Sequence, residues 1–263
     1  VKNVSERSLE LDVAIKAARA AGKLLRDQLG APRQIHYKGA IDLVTEMDHQ
    51  AEELISEMLR AAFPTYGLLA EEGGARFVSE EAQWVVDPLD GTTNYAHGYP
   101  FFAVSIALEK EGQIMVGVVY NPVLDELFAA ERGQGATLNG ELIYVSSTSS
   151  LGQSLLASGF PYDVWTNEVN NSREWDRFLK RVSSLRSDGS AALDLCHVAA
   201  GRLDGFWELD LSPWDIAAGA LIIQEAGGAV TQVNGDPFDL YAGSLLASNG
   251  HLHAEMLAVL RED

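Results

Sequence analysis

Cysteine, basic residues and long apolar runs are all scarce in this sequence, and each scarcity removes a class of function. The single cysteine, Cys196, excludes an internal disulfide and suits a reducing, cytoplasmic setting. Ala191, Ala192, Leu193, Leu195 and Val198 flank it, so it reads as a small buried hydrophobe and not a reactive thiol. Lys and Arg number 19 against 38 Asp and Glu, a net charge of −19 that argues against nucleic acid or an anionic membrane as partner. No apolar run approaches the roughly eighteen residues of a membrane span. Residues 1–30 read as an amphipathic helix with no apolar segment ahead of a small-residue cleavage site, so no signal peptide is expected. Other chemistries lack their motifs. There is no Gly-x-Ser-x-Gly elbow, no Gly-x-x-x-x-Gly-Lys-Ser/Thr loop and no Asp-x-Asp at a strand end. Gly133-Gln134-Gly135 has no third glycine and reads as a turn. No two of the six histidines are spaced as ligands on one helix, so zinc is not expected.

With 263 residues, 47% of them apolar, the chain is long enough for one large core or two tightly fused halves. Leu11, Ala14, Ile15, Ala18, Ala21 and Leu25 recur at helical spacing until Gly30-Ala31-Pro32. Ala51, Leu54, Ile55, Met58, Leu59 and Ala62 mark a second helix, with Asp48 as its expected N-cap. From 84 to 145 the pattern is an antiparallel meander, with strand-like runs at 101–109, 113–120, 126–131, 136–138 and 141–146. Asn139-Gly140 between the last two is a type I′ hairpin signal. After 150, strands at 155–158, 205–209, 229–233 and 245–248 alternate with helices at 190–200, 214–226 and 252–260. That alternation favours an α/β half. A soft boundary near Ser147 therefore separates an α+β half, 1–147, from an α/β half, 148–263, acting as one unit.

Acids concentrate in the first half: between Gly39 and Arg132 there are 17 Asp and Glu but four Lys and Arg. The densest cluster is Trp84-Val85-Val86-Asp87-Pro88-Leu89-Asp90-Gly91-Thr92-Thr93-Asn94. A buried-looking strand delivers Asp87, Pro88 stops it continuing normally, and Asp90 follows across a tight turn. Carboxylates so spaced suit neighbouring hard cations that want oxygen ligands. Gly91, Thr92 and Thr93 then offer N–H groups and hydroxyls to a phosphate. Glu71 and Glu72 end another apolar run, and Asp215 lies in the first turn of the helix after Pro213. Each of these acids, taken singly, also reads as a surface charge, a helix cap or an Asx turn.

Together the segments Asp42-Leu43-Val44-Thr45-Glu46-Met47-Asp48, Ala70-Glu71-Glu72, 84–94, and Trp214-Asp215-Ile216-Ala217-Ala218-Gly219 continuing to Glu225-Ala226-Gly227-Gly228 resemble the inositol monophosphatase family. That family lies within the wider fructose-1,6-bisphosphatase and sugar-phosphatase group. The resemblance implies a layered αβαβα sandwich, usually a homodimer, that hydrolyses a small phosphate monoester with Mg²⁺ and is inhibited by lithium. It implies one Mg²⁺ on Glu71, Asp87 and the Leu89 carbonyl, a second on Asp87, Asp90 and Asp215, and a third, weaker ion near Glu71. Thr92 and Asp48 take the roles of the pair that orients and deprotonates water. Gly91, Thr92 and Thr93 become the phosphate cradle. Gly189, Ser190, Ala191 and Glu208 become contacts to the substrate hydroxyls, although Glu208 also reads as an exposed strand-end glutamate. Lys38 is set against the lysine of a mobile loop, one residue closer to Asp42 than the pattern has it.

Inositol monophosphate is the leading substrate on this reading. Fructose 1,6-bisphosphate, histidinol phosphate and 3′-phosphoadenosine 5′-phosphate are alternatives, the last disfavoured by the few bases available for a second phosphate. A regulatory binding protein of the same fold is the competing class, and it predicts a damaged acid cluster.

Overall fold

The computed structural model describes residues 7–30, 35–37, 43–77 and 81–262. Helix α1 (Leu9–Asp27) starts where Ser8 accepts the Leu11 N–H, and it buries Leu11, Ala14, Ala18, Ala21 and Leu25 on one stripe. β1 (Ile35–Tyr37) and β2 (Leu43–Thr45) pair antiparallel, and α2 (Glu46–Ala62) packs beside α1. Asp48 does not cap α2. The helix begins two residues earlier, and the fully buried Asp48 carboxylate accepts from the Thr92 hydroxyl instead.

The first large sheet comprises β3 (Gly67–Ala70), β4 (Gly74–Phe77), β5 (Gln83–Asp90), β6 (Ala103–Lys110), β7 (Gln113–Asn121), β8 (Glu126–Glu131), β9 (Ala136–Leu138) and β10 (Glu141–Leu142). The short helix α3 (Thr92–His97) interrupts it between β5 and β6. Strand order is β10-β9-β8-β7-β6-β5-β3-β4, with β3 and β5 parallel and every other pair antiparallel. Asn139 and Gly140 have φ of 51° and 86°, the two positive values a type I′ turn needs.

In the second half come β11 (Leu155–Ser158), α4 (Ser172–Leu179), β12 (Ser184–Arg186), α5 (Ala191–Ala199), β13 (Gly205–Leu209), α6 (Pro213–Glu225), β14 (Ala229–Thr231), β15 (Ser244–Ser248) and α7 (His253–Leu260). The second sheet has the order β12-β11-β13-β15-β14, parallel across β12, β11 and β13 and antiparallel beyond. β10 ends earlier than the expected strand at 141–146 because the chain leaves the sheet, and Val145 N–H reaches the Ala226 carbonyl after α6.

Side-chain alternation along the strands sets the layers. Trp84, Val86, Val104 and Val118 face Ala18, Ile55 and Leu59 on the helices α1 and α2. Val85, Ala107 and Val119 face the other way, onto Leu193 and Leu195 of α5 and Ile216 and Leu221 of α6. Phe206 and Ala247 of the second sheet close that middle layer. Leu156, Trp207 and Leu246 point outward onto Phe178 of α4 and Met256 of α7. The result is the expected αβαβα sandwich. Because α6 lies between two sheets it is apolar all round, and residues 216–223 are all buried. Among the described residues, no helix is long and apolar enough to cross a membrane.

Candidate active site

Parallel pairing of β3 with β5 places Ala70 opposite Val86, so the next residue of each strand, Glu71 and Asp87, emerges at the same edge. The Glu71 N–H also reaches the Val86 carbonyl at 3.3 Å. Pro88 interrupts β5 without ending it. The ladder to β6 shifts between Asp87 and Asp90, and pairing resumes at Asp90 opposite Ala103. Proline has no N–H to give the ladder, and the free Leu89 N–H donates to Asp87 Oδ1 at 2.9 Å.

Gly91 follows with φ of 89°, and a Cβ there would lie 3.1 Å from the Gly189 and Phe101 carbonyl oxygens. Only glycine satisfies both the conformation and the close approach. α3 then opens with Thr92, whose buried hydroxyl lies 3.0 Å from both Asp48 Oδ1 and the Leu89 carbonyl. Thr93, next along, is exposed.

Ser190 caps α5 and donates its hydroxyl to Asp90 Oδ2, which also accepts the Ala192 N–H at 3.0 Å. Asn94 ties that loop to α3, donating to the Phe101 and Asp188 carbonyls at 2.7 Å each. Asp215 is the third residue of α6, after Pro213 at its start, and its Oδ2 accepts the Ser212 N–H at 2.7 Å in a capping box. Glu208, near the end of β13, lays its carboxylate against Gly159, where any side chain would collide with it.

These acids act strongly on one another. Burial raises the Asp87 pKa well above the usual carboxylate range, and Glu71, Asp90 and Asp215 push it further. Burial lifts Asp90 to about 6, against the lowering effect of the Ser190 hydroxyl and the N–H groups of residues 191–193. Asp215 is raised by burial and then by Asp90, and Glu208 by burial and then by Asp215 and Asp90. Each leading charge is negative, so five carboxyl groups share one neighbourhood. Among the described residues, no three Asp, Glu, His or Cys side chains stand at the spacing of a ready-made metal cage. Like charges at this density hold apart unless cations or protons offset them.

Thus the structure gathers Glu71, Asp87, Leu89, Asp90, Gly91, Thr92 and Asp48, joins Gly189, Ser190 and Ala191 to them through Asp90 and Gly91, and sets Asp215 and Glu208 within their field. Lys38 lies outside the described residues. Two further residues belong to this neighbourhood without a sequence reading that pointed to them. Asn94 has no signal beyond its place in the 84–94 motif. Asp194 is buried on α5 with no hydrogen-bond partner for Oδ1, its pKa raised by burial and then by Asp188, Glu208 and Asp90. An acid set among Ala191, Ala192, Leu193, Leu195, Cys196 and Val198 is the available clue. A cavity of about 720 Å³ lies elsewhere, lined by Glu109, Arg132, Gln224 and Tyr241 among others, and none of the predicted site residues borders it.

Comparison with known proteins gives a consistent result. The family model described as "Inositol monophosphatase family" matches residues 7–263. Inositol monophosphatase 2 of Solanum lycopersicum is 46% identical over 263 residues, covering 96% of this chain and 98% of that protein. Nus factor SuhB of Escherichia coli (strain K12) is 41% identical over 256 residues, covering 96% of each. The solved structure of inositol monophosphatase from Anabaena (Nostoc) sp. PCC 7120 superposes with a TM-score of 0.88 at 44% identity, covering 95% of this chain and 94% of that one.

Proposed function

This chain is a phosphatase of the inositol monophosphatase family, and from that premise we propose that it hydrolyses inositol monophosphate with Mg²⁺. One observation carries the metal part of the reading. Asp87 is buried, and the charges acting on it most strongly are Glu71, Asp90 and Asp215, all of its own sign. A folded protein tolerates that arrangement when cations offset it. The donor set fits Mg²⁺, since it offers carboxylates and a backbone carbonyl, all hard oxygens. Glu71, Asp87 and the Leu89 carbonyl would hold one ion, Asp87, Asp90 and Asp215 a second, and Glu71 would border a weaker third. When bound, Mg²⁺ would supply charge neutralisation to the phosphoryl group and would lower the pKa of water.

The rest is the work of this chain's own residues. Thr92 Oγ1, with Asp48 Oδ1 3.0 Å away, is suited to orient the attacking water and pass its proton to Asp48. The new P–O bond forms from that water as the ester P–O bond breaks, and the departing alcohol takes up a proton. Gly91, Thr92 and Thr93 would cradle the phosphate at the opening of α3. Gly189, Ser190, Ala191 and Glu208, brought alongside by Asp90 and Asn94, would read the hydroxyls of the polyol. We read 1–147 and 148–263 as one functional unit, because α6 of the second half carries Asp215 to acids of the first. A homodimer, a cytoplasmic setting, lithium inhibition and independence of nucleic acid belong to the same proposal.

Purified protein offered inositol 1-phosphate, fructose 1,6-bisphosphate, histidinol phosphate and 3′-phosphoadenosine 5′-phosphate tests the substrate. Inositol 1-phosphate is expected to show the highest kcat/KM, and equal rates on all four would remove the inositol preference. The likeness to a Nus factor supports a second reading, a regulatory binding role on the same fold. It requires no intact acid cluster, yet every acid that the family resemblance implies is present here.

A further inference from the structure

We propose that Glu52 is a positioning residue of the metal site, the anchor that fixes the turn presenting Glu71. The inference rests on the reading of Glu71 as a ligand, and the observation behind it is the hydrogen bonding of α2. Asp48 and Glu52 are four residues apart, so they share one face of that helix, and both are fully buried. Asp48 meets Thr92 at the start of α3. Glu52 reaches the other wall, where its Oε2 accepts the N–H of Glu72 at 2.8 Å and of Gly73 at 3.2 Å. The preceding N–H, that of Glu71, goes to the Val86 carbonyl on β5. Three successive N–H groups are therefore held, one by the strand that carries Asp87 and two by Glu52. One face of α2 spans the site and sets the separation between the Glu71 turn and the Thr92 turn.

A buried carboxylate is costly unless it is well bonded, and here two N–H donors meet one oxygen. Glu72, by contrast, faces His49, whose Nδ1 is 3.9 Å from Glu72 Oε2.

The test is calorimetric titration of Mg²⁺ into folded wild type, Glu52→Gln and Glu52→Ala, with kcat measured at saturating Mg²⁺. Glu52→Ala is expected to bind Mg²⁺ roughly 10–100-fold more weakly, as lost support behind a ligand commonly does. Glu52→Gln should show a smaller, several-fold loss, and excess Mg²⁺ should restore most of kcat in both. A merely structural role would lower the melting temperature in chelator and leave Mg²⁺ affinity alone. Wild-type affinity in both variants overturns the proposal; if Glu52→Ala does not fold, unchanged affinity in Glu52→Gln does so by itself. Wild type that takes up no Mg²⁺ would sink the metal reading separately. Amide exchange at Glu72 and Gly73 then decides the anchor: faster exchange in Glu52→Ala than in wild type supports it, and unchanged exchange refutes it.

Discussion

Replacing Asp90 with asparagine should stabilise the metal-free protein while abolishing its activity. Asp90 is held at about 6 in the fold, chiefly by burial, against an ordinary value of 3.8. The folded state therefore binds that proton more tightly than the unfolded chain does. Its contribution to stability is fully present below pH 4 and is lost as the pH rises through about 6. Above pH 7 the charged form costs about 3 kcal/mol, at roughly 1.36 kcal/mol per pH unit between the two values. Asparagine resembles the protonated acid in shape, keeps an oxygen for Ser190 and the Ala192 N–H, and never ionises. In chelator, Asp90→Asn should match wild type near pH 4 and exceed it by about 3 kcal/mol at pH 7.5, roughly 6–12 °C in Tm for a chain of this size. His197, held near 4 by burial, destabilises both proteins alike as pH falls below its usual range, so it cancels from the difference. With saturating Mg²⁺ the order should reverse, since only wild type gains from binding. Thermal melts at pH 4, 6 and 7.5, with chelator and with Mg²⁺, report all of this. A variant no more stable than wild type at pH 7.5 in chelator, or a difference independent of pH, would refute the electrostatic account of the site.

Three other outcomes are expected. Thr92→Val keeps the shape but removes the hydroxyl shared between Asp48 and Leu89, and kcat should fall by about 10²–10⁴ with Mg²⁺ affinity unchanged by calorimetry. Glu208→Gln should raise KM for inositol 1-phosphate more than it lowers kcat, measured by phosphate release. Trp207→Ala removes a fully buried ring whose centroid lies 4.1 Å from that of Phe178, tilted by 30°, and which donates to Asn171 Oδ1 at 2.7 Å. It should cost about 3–5 kcal/mol in denaturant titration and leave kcat intact below the melting range.

What could be read from the chain beforehand was whatever local chemistry decides. The strands at 126–131, 136–138, 155–158 and 205–209 end where their turn residues say, and Ser190 stands just ahead of α5 as a cap should. α4 and β12 escaped because both are short, and α4 presents a mostly polar, charged sequence after Asn171 in a left-handed conformation. Asp48 looked like a cap because its real partner, Thr92, is 44 residues away. Glu52 was invisible for a similar reason: what it holds is backbone, 20 and 21 residues on, and an N–H leaves no mark in a sequence. The acids themselves were legible as a group, since the 84–94 segment and Asp215 carry a resemblance. Their convergence depends on the parallel register of Ala70 against Val86 and on α6 lying between the sheets. Those are tertiary facts.

Phosphate release from inositol 1-phosphate, followed as Mg²⁺ is removed and restored, bears most directly on the claim that crowded carboxylates work through bound cations. Turnover should vanish in chelator, return on adding Mg²⁺, and stay absent in Asp90→Asn at every Mg²⁺ concentration. Hydrolysis that persists in chelator, or an ester left intact by wild type at saturating Mg²⁺, would contradict it.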